Sequence, residues 1–157
     1  MGDSVGEFPF NFSWVIEDEL CALGFPDTPG NMQYLVNNNV GYLVSLTAER
    51  RPDIQGYEKD LHLTCIKIVD FTPPTLQQAE VFLQMMEKAR RNKKAVAIHC
   101  AHGKGRTGTM AACYLIKEYG YTTRQAIDKI RQIRPGSIET RDQELFVHQF
   151  EEYQNTC

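Results

Sequence analysis

The sequence predicts an α/β fold, a central β-sheet flanked by α-helices. Three observations carry this. Short apolar runs of strand type alternate with helical patterns as far as residue 99, and only helical patterns follow. The later patterns repeat their apolar residues at helical spacing, with Pro135-Gly136 breaking the last two apart. At residues 95–110 an apolar run passes through a glycine-rich loop directly into a helical segment, AVAIHCAHGKGRTGTM.

Taken in order, Phe12 to Leu23 alternates loosely and is rich in Trp, Val, Ile and Leu, which predicts one or two edge strands. Asn31 to Asn39 reads as a short helix after the Pro29-Gly30 turn. Tyr42 to Leu46 and Leu61 to Val69 read as strands, and the polar stretch Thr47 to Asp60 between them reads as a surface loop. Thr75 is an N-cap for a helix in which Ala79, Phe82, Leu83, Met86 and Ala89 share one face. Basic residues from Arg90 to Lys94 suit the C-terminus of that helix, where the dipole is negative. Ala95 to Ile98 is a buried strand. Helices then run over about 107–119, 123–133 and 140–153, with buried faces marked by Ile127, Ile130 and Ile133 and by Phe146, Phe150 and Tyr153.

A chain of 157 residues is the size of one compact domain, and 42% hydrophobic with 24% charged residues is ordinary globular composition. A net charge of -3 argues against a general nucleic-acid binder, so no stable nucleic-acid partner is expected. No apolar run reaches the roughly 20 residues that span a bilayer, no signal peptide is evident, and no membrane insertion is expected. Met1-Gly2 lacks the Ser or Thr that a myristoylation site needs at position 6, and the terminal Cys157 forms no prenylation box. Five cysteines (21, 65, 100, 113 and 157) without paired spacing read as reduced thiols in an intracellular compartment. No C-x2-C or H-x3-H pair occurs, so no zinc site is expected.

The loop after residue 98 fits two patterns. Gly103-x-Gly105-x-x-Gly108 spells a dinucleotide fingerprint, but that chemistry needs a second strand ending in an acidic residue about 20 positions on. Asp128 has the spacing and lies inside a helical pattern, so the dinucleotide reading fails. A nucleotide-triphosphate loop fails as well, because Gly105 follows Lys104 where Ser or Thr is required. Cys100-x5-Arg106-Thr107 accounts for more of the residues. A loop leaving a strand and entering a helix turns successive backbone N–H groups inward, a nest for a phosphate dianion. The aligned N–H groups, the helix dipole and Arg106 all favour thiolate over thiol at Cys100. Arg106 is suited to hold two phosphate oxygens at once, Thr107 to donate a hydrogen bond to the Cys100 sulfur, and His99 to be a buried orienting residue.

His99-Cys-Ala-His-Gly-Lys-Gly-Arg-Thr107 resembles the signature H-C-x5-R-[ST] of protein tyrosine phosphatases. The chain as a whole resembles a small atypical dual-specificity phosphatase of that cysteine-dependent superfamily. Asn11-Phe-Ser-Trp14, Leu43-Val-Ser-Leu-Thr47, the loop, and Arg134-Pro-Gly-Ser-Ile-Glu-Thr140 carry the likeness. It implies that residues 1–157 form a single catalytic domain with a mixed central sheet. It further implies hydrolysis of phosphotyrosine and phosphoserine/phosphothreonine in proteins through a phosphocysteine intermediate, without a metal or cofactor. Cys100, Arg106, Asp70 and Thr107 are then the catalytic residues. Asp70 stands 30 positions before Cys100, where the family keeps its general acid. Ala101, His102, Gly103, Lys104, Gly105 and Arg106 would hold the substrate phosphate. Glu139 and Gln143 fall where related enzymes place a loop that positions water or contacts substrate. Phosphorylated proteins are the implied partners, for a monomer of the cytoplasm and also the nucleus.

The larger tyrosine-specific relatives carry an aromatic loop that deepens the pocket, and no counterpart is recognisable, which favours dual specificity. His102 resembles an RNA 5'-phosphatase branch of the superfamily and Lys104 an inositol-lipid phosphatase branch, so both remain alternatives. Loss of Cys100, Arg106 or Asp70 would mark a domain that binds phosphate without turnover; all three are present. A reactive thiolate predicts oxidative inactivation, with Cys65 and Cys113 as resolving thiols or, more simply, buried structural ones.

Overall fold

A computed structural model describes residues 5–156, so Met1-Gly2 and Cys157 lie outside the described residues. The chain builds one five-stranded sheet from β1 (Ser13–Ile16), β2 (Leu20–Leu23), β3 (Val40–Thr47), β4 (His62–Ile68) and β5 (Ala95–His99). Their spatial order is β1-β2-β5-β3-β4. Only the β1–β2 pair is antiparallel, so the sheet is mixed as expected. The helices are α1 (Pro29–Asn37), α2 (Leu76–Arg91), α3 (Gly105–Tyr119), α4 (Thr123–Ile133) and α5 (Arg141–Asn155).

Side-chain alternation explains why both sheet faces are covered. In β5, Val96 and Ile98 join the core formed with α2, α3, α4 and α5, while Ala95 and Ala97 join a second core under α1 with Met32 and Leu35. The α2 face is buried at Ala79, Phe82, Leu83, Met86 and Ala89, the five positions its periodicity marks. Ile127, Ile130, Phe146 and Phe150 are buried as expected, with Ile133 and Tyr153 only partly so.

Several boundaries differ from the sequence-based expectation. Phe12 to Leu23 holds two strands, but only β1 is an edge; β2 lies between β1 and β5, and all four of its residues are buried. The first helix begins at Pro29, two residues early, because Thr28 caps it through a reciprocal pair of bonds with Asn31. The helix after the glycine loop begins at Gly105 rather than Thr107. Cys113 is buried, but Cys65 is only half-buried. Arg90 does more than solvate a helix end, since it donates to Tyr114 Oη and pairs with Glu118 at 3.1 Å.

The topology decides where a site can form. Strands β2, β5, β3 and β4 run parallel, so their C-terminal ends emerge on the same edge of the sheet. The residues that follow them, Phe25, Cys100, Glu49 and Asp70, are thereby gathered although they are far apart in sequence.

Candidate active site

The loop from Cys100 to Gly105 leaves β5 and enters α3, and the carbonyls of Ala101 to Gly105 are each bonded to a donor of the surrounding structure. Ala101 O accepts from Phe25 N (3.0 Å), and His102 O from Asn11 Nδ2 (2.7 Å). Gly103 O accepts from Arg134 Nη2 (2.6 Å) and Nε (3.2 Å). Lys104 O accepts from Gly108 N and Ile138 N, and Gly105 O from Thr109 Oγ1 (2.7 Å). With these carbonyls engaged, the N–H groups of the loop are left to line its concave side.

Glycine is required at Gly103, while at Gly105 a side chain would meet only the ends of two neighbouring side chains. Gly103 has φ +75°, and a Cβ there would stand 2.6 Å from Leu23 O. A Cβ on Gly105 would stand 2.5 Å from Glu139 Oε1 and 2.9 Å from Gln143 Nε2. The end of α3 that meets the loop also differs from the other helix starts. Helices α1, α2, α4 and α5 open on Thr28, Thr75, Thr122 and Thr140, each closing a capping box, whereas Lys104 gives α3 no side-chain cap. The first N–H groups of α3 therefore remain available to an anion.

Cys100 sits at the base of this cradle, buried. Arg106 is also buried and is held in a fixed plane by three acceptors: Glu49 Oε1 (2.9 Å), Glu49 Oε2 (3.0 Å) and Ile68 O (2.9 Å). Asp70 joins it, with Oδ1 3.3 Å from Arg106 Nη2 and accepting from Phe71 N at 2.9 Å. The guanidinium holds the Glu49 carboxyl below its ordinary range. Arg106 Nε and Thr107 Oγ1 are buried donors that meet no acceptor among the described residues. The expected bond from Thr107 to the Cys100 sulfur is therefore not formed in this state.

His99 is fully buried at the end of β5, with Nδ1 3.1 Å from Cys100 O and its ring edge-on to Phe25 at 5.2 Å. Burial pushes its pKa down to about 4, so it stays neutral at ordinary pH. The burial expected of it is thus present, with Nε2 meeting no partner among the described residues.

Glu139 reaches the cradle from the turn before α5, and Gln143 from the first turn of α5. Gln143 is fully buried. Its Oε1 accepts from the Glu139 and Thr140 amides (2.8 and 3.1 Å), and its Nε2 donates to Thr72 O on the Asp70 loop (3.4 Å). It thus ties two loops of the site together. His102 is exposed, its ring 6.5 Å from that of Phe10, and Lys104 runs past Gly136 at the rim. Among the described residues no group of three or more His, Cys, Asp or Glu is placed to hold a metal ion, and no helix is long and apolar enough to cross a membrane.

Two residues of the site escaped sequence reasoning. Glu49 lies in the polar 47–60 loop with no local pattern to mark it, and Arg134 is marked in the sequence only as the first residue of the stretch Arg134 to Thr140 that carries the family likeness.

Fold and site together define a protein phosphatase domain of the dual-specificity type. The family model for the "Swiss Army Knife protein, DSP-PTPase phosphatase domain" matches residues 9–147, and the chain belongs to this family. It is 30% identical over 155 residues to the human dual specificity protein phosphatase CDC14C, covering 87% of this chain and 33% of that protein. It is 43% identical over 146 residues to the zebrafish (Danio rerio) dual specificity protein phosphatase CDC14AB, covering 82% of this chain and 23% of that protein. A crystal structure of Tk-PTP in the active form superposes with a TM-score of 0.80 at 26% identity, covering 90% of this chain and 97% of that one. The chain spans a fifth to a third of the length of the curated relatives it matches. These relatives carry protein phosphatase names, which does not favour the RNA or inositol-lipid alternative drawn from His102 and Lys104.

Proposed function

We propose that this domain hydrolyses phosphate monoesters on tyrosine, serine and threonine side chains of proteins through a phosphocysteine intermediate. The observation that supports this most is the cradle itself: five successive loop carbonyls bonded to the surrounding structure beside a buried Cys100, with Arg106 and Asp70 in contact at its mouth. The substrate phosphate would rest on the inward N–H groups of residues 101–106, with Arg106 Nε supplying a further donor. The Cys100 thiolate attacks phosphorus, an S–P bond forms and the P–O bond to the side chain breaks. Asp70 donates its proton to the departing oxygen. A water then attacks phosphorus, gives its proton to the Asp70 carboxylate, and releases inorganic phosphate and the thiolate. Thr107 is the nearby hydroxyl suited to stabilise sulfur as it leaves, and Glu139 and Gln143, whose side-chain ends lie against Gly105, are suited to position the water.

We read the domain as a monomer of the cytoplasm and nucleus that binds phosphorylated proteins and no stable nucleic acid. Net charge -3 supports the lack of a stable nucleic-acid partner, and free thiols at Cys21, Cys65, Cys100 and Cys113 support a reducing compartment.

Initial rates on one peptide sequence carrying phosphotyrosine, phosphoserine or phosphothreonine test the reading, with a phosphatidylinositol monophosphate and 5'-triphosphorylated RNA as comparators. Turnover of the tyrosine peptide and of at least one of the other two is expected. Turnover confined to the lipid or the RNA would contradict it.

A further inference from the structure

Arg134, the residue that ends α4, places its guanidinium directly behind the phosphate cradle. It is 2% exposed and uses every nitrogen: Nε and Nη2 donate to Gly103 O, and Nη1 donates to Asn11 O (2.7 Å), Ser13 Oγ (2.7 Å) and Ala22 O (3.0 Å). One side chain thereby joins the segment before β1, β1 itself, β2 and the loop. All of these acceptors are neutral. Among the described residues no carboxylate lies within ion-pair distance of it.

The contrast with Arg106 is informative. Arg106 faces two carboxylates, Glu49 and Asp70, so its charge is already opposed before any phosphate arrives. His99 is held neutral by burial. Arg134 is then the buried cation of this region that no carboxylate among the described residues opposes, with only the Cys100 and Cys21 sulfurs acting on its charge. Burying an unpaired charge is unfavourable, and an arginine retained there gains most when an anion occupies the neighbouring nest. Burial brings its pKa down to about 10, and Cys100 acts on it in the opposite direction.

We propose that Arg134 is a positioning residue of the anion site, fixing the Gly103 peptide through its carbonyl and supplying the positive charge that Arg106 shares with Glu49 and Asp70. It does not touch the substrate. The proposal rests on the cradle being the phosphate site.

The test compares Arg134→Gln and Arg134→Lys with the wild type, using inorganic phosphate as a competitive inhibitor of p-nitrophenyl phosphate turnover and the melting temperature as a separate readout. Arg134→Gln should weaken phosphate inhibition about tenfold, while Arg134→Lys, which keeps the charge, stays within about threefold. Both variants lose thermal stability. If both bind phosphate as well as the wild type, or both lose affinity equally, the charge role is overturned. Should the Gln variant not fold, the wild type decides: the slowly exchanging Arg134 Nε–H resonance should shift on saturation with inorganic phosphate, and an unmoved resonance overturns the proposal. A wild type that binds no phosphate at all would instead count against the cradle.

Discussion

Arg106 and Glu49 meet fork to fork, Nη1 to Oε1 at 2.9 Å and Nη2 to Oε2 at 3.0 Å, although 57 positions separate them in the chain. The pair is asymmetric: the Arg106 side chain is 1% exposed and that of Glu49 48%. Glu49 therefore holds the plane of a buried guanidinium from the solvent side. Parallel β3 and β5 make the meeting possible, since both strands end at the same sheet edge.

That geometry predicts a catalytic defect without loss of the fold. Glu49→Ala leaves Arg106 with only Ile68 O and Asp70 to orient it, and kcat/KM for p-nitrophenyl phosphate should fall about 100-fold. Glu49→Gln keeps an acceptor for one arm of the fork and should lose less. Wild-type kinetics in the Ala variant would show that Arg106 needs no such support.

Asp70→Asn separates leaving groups. The variant cannot protonate the departing oxygen, so phosphates of poorly acidic alcohols should slow about 100-fold or more, and those of acidic phenols far less. A plot of log kcat/KM against leaving-group pKa should steepen. Equal slowing across the series would remove Asp70 from the acid role.

His99 predicts a pH dependence of stability. Its pKa falls to about 4 in the folded protein from 6.5 when unfolded, so between these values the unfolded chain binds the extra proton. Stability present above about pH 6.5 is thus lost as pH falls towards 4, by about 3 kcal/mol from this group. Urea unfolding between pH 4.5 and 7 should show this slope in the wild type and a shallower one in His99→Gln. Parallel slopes would place the lost stability elsewhere.

The parts of this structure written locally were readable from sequence. The α2 face from Ala79 to Ala89, the Thr75 cap and the strand-loop-helix around Cys100 each depend on residues a few positions apart. The site was readable where its spacing is local, as from Cys100 to Arg106. The contacts that escaped are made across the sheet. Glu49 looks like one more acidic residue in a polar loop until β3 and β5 are paired, and Arg134 looks like a helix end until its five bonds are drawn. Gln143 is a polar residue with no local pattern that marks it as buried. It is buried because the Glu139 and Thr140 amides and the Asp70 loop close over it.

Turnover of p-nitrophenyl phosphate by purified wild-type protein and by Cys100→Ser is the most direct measurement. A serine hydroxyl in the same cradle binds phosphate but is a far weaker nucleophile, so the rate should drop at least about 1,000-fold while inorganic phosphate still binds. Equal turnover by the two proteins would mean that Cys100 is not the nucleophile and that the chemistry lies elsewhere on the molecule.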